Sequence, residues 1–144
     1  MVSLSKNQTV SLSKESSALS QLHFGLGWDP VKKKGLLGGL FGGNDSIDLD
    51  AGCVLMDSTG KTIDTIWFRK LESTCGAVVH SGDNLTGEGE GDDEVMLIDF
   101  GKVPANVEKI AITVTIYDAD VRHQNFGQVA NAYVRVAKQS SADD

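Results

Sequence analysis

Residues Ile110 to Tyr117 read I-A-I-T-V-T-I-Y, and the fold class turns on how that alternation is taken. Ile110, Ile112, Val114 and Ile116 recur at every second position, with Thr113, Thr115 and Tyr117 between them. In an extended chain successive side chains point to opposite faces, so the pattern gives a β-strand with one apolar and one polar face. A helix would spread the same four apolar residues around its axis. β-branched and aromatic residues also pack well on a pleated surface, which strengthens the strand reading.

The same period of two extends outward from this run. Leu22, Phe24, Leu26 and Trp28 alternate with His23, Gly25 and Gly27, a half-buried strand that stops at Asp29-Pro30. Ile47, Leu49, Ala51, Cys53 and Leu55 share one face of the run Ile47 to Met56, and Asp57-Ser58-Thr59-Gly60 after it has turn composition. Further strands are predicted at Thr62 to Phe68, Ala77 to Ser81, Val95 to Phe100 and Val129 to Ala137. Near the start, V-S-L-S-K occurs twice, at Val2 to Lys6 and Val10 to Lys14, as two short strands around an Asn7-Gln8-Thr9 turn. No segment carries the pattern of an amphipathic helix. Many short strands separated by Gly, Asp and Ser turns specify an all-β fold, an antiparallel β-sandwich, with a barrel as the alternative. At 144 residues the chain is sized for a single domain, residues 1–144. Within it, Val31 to Asn44, with three consecutive lysines and five glycines, reads as a flexible loop, and 139–144 as a disordered tail.

Charge is concentrated in one place. The formal net charge is −7, and the stretch from Asp83 to Glu94 alone holds six carboxylates and no basic residue; without them the charge would be −1. Such a distribution indicates an acidic site rather than a generally acidic protein. Nucleic acid is excluded as a partner, since phosphate contacts need a basic face and only Lys32-Lys33-Lys34 forms a basic run. The start lacks a charged region followed by an apolar run, and no stretch approaches the length that spans a bilayer, so the expectation is a cytoplasmic protein. In that compartment Cys53 and Cys75 are expected as reduced thiols.

The acidic residues have ligand chemistry. Asp48 and Asp50 lie on one face of a strand, roughly 7 Å apart by strand geometry, where like charges resist ionisation unless a cation sits between them. In the run from Gly82 to Glu94, G-D-N-L-T-G-E-G-E-G-D-D-E, glycines let the backbone bend while Asp83, Asn84, Thr86, Glu88, Asp92, Asp93 and Glu94 supply hard oxygen atoms. Many oxygens at flexible distances suit calcium, whereas magnesium requires a tight octahedron and zinc prefers nitrogen and sulfur. An EF-hand is rejected. Asp83 and Glu94 occupy positions one and twelve of such a loop, but Leu85 stands at position three, Glu88 at the position that requires glycine, and no helices flank it. A solvated acidic loop is the competing reading.

Taken in order, these segments resemble the TerD family of tellurium-resistance and stress-response proteins. The resemblance rests on Gly25 to Asp29, Asp48 to Ala51, the whole of Gly82 to Glu94, Ile112 to Ala119, Phe126 to Val129 and Ala132 to Val136. It implies a calcium-binding β-sandwich, acting in resistance to tellurite and in other stress responses alongside other proteins of the tellurium-resistance system. Carried over residue by residue, it implies Asp50, Asp83, Asn84, Glu88, Asp92, Asp93 and Glu94 as metal ligands. Asp29 and Asp48 are additions whose side chains could instead cap turns. Family members continue past Val134 with further strands, so the expectation is a sandwich short of those strands, with a sheet edge open to another chain.

The function expected is a non-enzymatic calcium-binding module. A second reading has calcium bridging the acidic loops to lipid headgroups at the inner membrane, with the Lys32 to Phe41 loop inserting. An enzyme acting on tellurite is the third. Its metal chemistry would need a base, for which His80 is the candidate beside the run, and its thiol chemistry a reactive cysteine. Cys53 falls on the predicted core face, where a cysteine acts as a small hydrophobe, and no motif supports Cys75.

Overall fold

The structure is a computed structural model that describes residues 5–9, 20–30 and 46–138. Among these residues seven strands follow in chain order: β1 (Gln21–Asp29), β2 (Leu49–Met56), β3 (Thr62–Ile66), β4 (Val78–His80), β5 (Glu94–Asp99), β6 (Lys109–Ile116) and β7 (Ala130–Lys138). They form two sheets, one ordered β4-β5-β1-β7 and the other β3-β2-β6, with every pairing antiparallel. The architecture is the predicted antiparallel β-sandwich. The one α-helix among the described residues, α1 (Ala119–Arg122), is four residues long and buries nothing. Among the described residues, no helix is long and apolar enough to cross a membrane.

The period of two places the core. Leu22, Phe24, Leu26 and Trp28 of β1 are buried, as are Leu49, Ala51, Cys53 and Leu55 of β2, with Ile66, Val78, Met96 and Ile98 from their neighbours. Ile110, Ile112, Val114 and Ile116 of β6 pack against this core but are only partly covered. On this side of the molecule β6 and β7 are the outer strands of their sheets among the described residues, and all nine residues of β7 are exposed. Between them lies an apolar cleft of about 460 Å³, lined by Leu22, Phe24, Ile98, Phe100, Ile112 and Val136 among others.

The turn predicted near the start is present, with the Gln8 amide donating to the Ser5 carbonyl at 2.9 Å and Asn7 at φ 66°. The strands assigned to either side of it lie largely outside the described residues, as do the loop at Val31 to Asn44 and the tail at 139–144. One strand boundary differs in a way that matters. β5 begins at Glu94, not Val95, because Glu94 continues the ladder opposite Leu26.

Candidate metal centre

β3 stops pairing with β2 at Cys53↔Ile66, so beyond that point the β2 edge has no strand beside it among the described residues. A buried backbone amide without a partner is costly, and two side chains of the opposite sheet take up the groups of Ala51. Its N–H donates to Glu94 Oε2 at 2.8 Å, and its carbonyl lies 3.2 Å from His80 Nε2. The Gly82 amide donates to His80 Nδ1 at 3.0 Å, which sets the neutral tautomer with its proton on Nε2, facing Ala51. His80 Nε2 is also 3.5 Å from Glu94 Oε2. Burial opposes the charged imidazolium, but the hydrogen bond and charge of Glu94 outweigh it and raise the His80 pKa.

Glu94 is fully buried, and its other oxygen accepts the Asn84 amide at 3.1 Å. One carboxylate thus holds both the residue after Asp50 and the residue after Asp83. The consequence is a cluster in which one ligating atom from each of Asp48, Asp50 and Asp83 lies within 4.8 Å of the others. Oxygens that share one calcium ion at 2.3–2.6 Å are at most about 5 Å apart, so the spacing suits that ion.

The cluster is electrostatically strained. Burial, then the charges of Asp48, Glu94 and Asp83, push the Asp50 pKa up to about 7. Asp48 is also raised, by burial and then by Asp83, against an opposing influence from Arg122. Burial and the Glu94 charge raise Asp83, with His80 acting in the other direction. Asp48 is only 4% exposed, and its Oδ1 has no hydrogen-bond partner among the described residues. A buried carboxylate oxygen without a donor is unusual, and in a cluster of like charges it is where a cation would bind.

The remaining sequence candidates lie elsewhere in the network. The Arg135 Nε–H is shared between the two Asp92 carboxylate oxygens, at 2.7 and 2.9 Å, Arg135 Nη2 donates to Asp92 Oδ2 at 2.7 Å, and Asp92 Oδ2 lies 2.8 Å from His23 Nε2. Its carboxylate resists charge through burial, but the hydrogen bonds from Arg135 and His23 prevail and hold the pKa low. Asp93 accepts the Trp28 amide at 2.9 Å and the Asn84 side-chain amide at 3.1 Å. Asn84 Oδ1 in turn accepts the Thr86 and Gly87 amides, both at 3.1 Å, which folds the loop back on itself. Asp29 is exposed and accepts from Asn131 at 2.6 Å, and Glu88 is exposed. The structure therefore brings Asp48, Asp50 and Asp83 together, and sets Asp92, Asp93, Glu94 and Asn84 in the frame around them.

Sequence reading missed Arg122, His23, Tyr133 and Arg135. Arg122 acts on Asp48 through its charge, and its guanidinium lies over the Tyr117 ring, 5.1 Å from the centroid, while the Tyr117 amide donates to the Asp48 carbonyl at 2.9 Å. Charge matching with the acidic run was the available signal for the arginines, but many basic residues would have satisfied it.

Comparison with known proteins places this arrangement in a family. A family model for the TerD domain matches residues 1–144. Tellurium resistance protein TerZ of Serratia marcescens is 77% identical over 143 residues, covering 99% of this chain and 72% of that protein. Stress response protein SCP2 of Bacillus subtilis (strain 168) is 48% identical over 151 residues, covering 99% of this chain and 74% of its own. Two crystal structures share the fold. One, of a protein of unknown function, has a TM-score of 0.67 at 22% identity, covering 83% of this chain and 65% of that one. The other, of a homologue of telluride resistance protein (TerD) from Streptomyces coelicolor A3(2), has a TM-score of 0.68 at 23% identity, covering 84% and 67%. The chain thus spans about two thirds of the solved structures and somewhat more of these relatives. With the family model matching from the first residue to the last, this chain belongs to the TerD-domain family of tellurium-resistance and stress-response proteins.

Proposed function

We propose that the chain is a calcium-binding, non-enzymatic module that works with other proteins of a tellurite-resistance and stress-response system. The observation that carries this reading is the buried Asp48 Oδ1, without a hydrogen-bond partner among the described residues, in a cluster with Asp50 and Asp83. Three carboxylates within 4.8 Å repel one another, and a divalent cation turns that repulsion into binding free energy. The donors are all oxygen, which favours calcium over zinc. A non-enzymatic role fits the neighbouring groups. His80 is buried with both ring nitrogens engaged, and burial pushes the Cys53 thiol up to about 12, where no nucleophilic thiolate forms near neutral pH. Calorimetric titration with calcium chloride tests the site. The wild type should bind saturably and an Asp48→Asn/Asp83→Asn variant should not. An unchanged isotherm in the variant would remove the site.

A further inference from the structure

We infer that Arg135, on β7, is a positioning residue for the calcium loop: with His23 it latches Asp92, and that latch holds Asp83 against Asp48 and Asp50. The inference rests on the calcium reading above.

The loop from Gly82 to Asp93 needs an external hold. Gly82, Gly87, Gly89 and Gly91 all have positive φ, a backbone freedom that raises the entropy lost when the loop is ordered. Before any ion arrives, its Asp83 end also faces two like charges. Against this, the far end of the loop is fixed tightly on the outer face of β1. Asp92 receives the Arg135 fork and the His23 ring, and Tyr133 Oη donates to the Gly91 carbonyl at 2.5 Å and lies 3.2 Å from Asp92 Oδ1. Ion-assisted, forked hydrogen bonds of this kind are the strong ones.

The β1 sequence is fitted to that docking. A Cβ on Gly25 would lie 2.1 Å from Asp92 Oδ2, and one on Gly27 would lie 2.5 Å from the Tyr133 ring. From Asp92 the fixed geometry runs inward without a gap. The Asp93 amide donates to the Leu26 carbonyl at 2.8 Å, Asp93 holds the Asn84 side chain, and Glu94 holds the Asn84 and Ala51 amides. Asn84 and Ala51 are the neighbours of Asp83 and Asp50, so an arginine on the opposite edge of the sheet sets the placement of the ligands.

The direction of the effect separates this role from its rivals. A latch raises the fraction of molecules whose loop is ready to bind, and apparent affinity scales with that fraction. Removing Arg135 should therefore weaken calcium binding. If Arg135 acted only through its charge, its removal would take away a repelling cation and tighten binding. If Asp92 were itself a ligand, freeing it from Arg135 would tighten binding as well.

The test is calcium titration calorimetry on the wild type, Arg135→Ala, Arg135→Lys, Lys138→Ala and Asp48→Asn, with amide hydrogen exchange on the metal-free proteins. Arg135→Ala should raise the calcium dissociation constant about tenfold, and Arg135→Lys should fall between it and the wild type. Lys138→Ala, which removes a like charge from the same strand, should not weaken binding. In metal-free Arg135→Ala, exchange should accelerate across residues 82–93 and stay unchanged in β2 and β6. Equal or tighter binding by Arg135→Ala, while Asp48→Asn loses binding, overturns the latch alone. A wild type that does not bind calcium, or an Asp48→Asn variant that binds like it, overturns the calcium reading and the latch with it.

Discussion

Asp50 carries the clearest pH signature in the molecule. Its pKa is about 7 in the folded chain against 3.8 for an ordinary aspartate. Between those values the folded chain keeps a proton that the unfolded chain has lost, so without metal its contribution makes stability fall as pH rises through about 4 to 7. The cost is complete above the upper value and absent below the lower one, and amounts to about 2–4 kcal/mol. Calcium bound at this centre would have to displace that proton. At about pH 6, binding should release close to one proton per chain, read from titrations in buffers of different ionisation enthalpy; release of none would take Asp50 out of the site. That Asp50 belongs to an acidic centre was legible in the sequence, because Asp48 and Asp50 share a strand face and Asp83 opens a glycine-rich loop. The separate tasks of Asp83 and Asp92 were not legible. Both are aspartates beside glycine, and what divides them is Arg135, 43 residues along the chain from Asp92.

Strand β5 shows how an element gives one of these carboxylates its role. The alternation Glu94, Met96, Ile98 puts Glu94 on the inward face, opposite Leu26, and the burial along β5 follows it. This was present in the period of two, yet a charged residue at the end of an acidic run reads as part of the loop. Sequence gives no sign that β3 ends early and leaves the Ala51 amide for a side chain to take, because strand ends depend on pairing and not on composition alone. Once the Ala51 and Asn84 amides are found on Glu94, its replacement has a definite cost. Glu94→Gln keeps the shape, but its side-chain amide turns a donor toward one of two backbone donors and removes the charge beside His80. We expect a loss of roughly 2–4 kcal/mol of unfolding free energy in urea titrations with an unchanged m-value. A loss below about 1 kcal/mol would mean that the amides find other acceptors.

The two sheets meet differently on their two sides, and this bears on how the whole molecule responds to an ion. On the β6 and β7 side the apolar cleft separates them, and the inward residues of β6 are only partly covered. The sandwich architecture was legible from alternation, but this uneven closure was not, because a half-covered and a fully covered apolar face have the same period. Near the acidic centre the sheets are joined by polar contacts: Glu94 and His80 come from one sheet and Ala51 from the other. The candidate ligands divide the same way. Asp48 and Asp50 lie at the head of β2, while Asp83 lies on the loop between β4 and β5. A cation held by all three would tie one sheet to the other, and since unfolding separates them, it would bind the folded state alone. At calcium one hundred times above its dissociation constant, mass action gives about 2.7 kcal/mol. For a chain of this size that raises Tm by roughly 5–10 °C, read by calorimetry or circular dichroism against a chelator-treated sample. The Asp48→Asn/Asp83→Asn variant should show no such rise, although its metal-free Tm should be equal to or above that of the wild type, since two repelling charges are gone. An equal calcium-dependent rise in the variant would place the ion elsewhere on the molecule and leave the joint between the sheets to Glu94 and His80 alone.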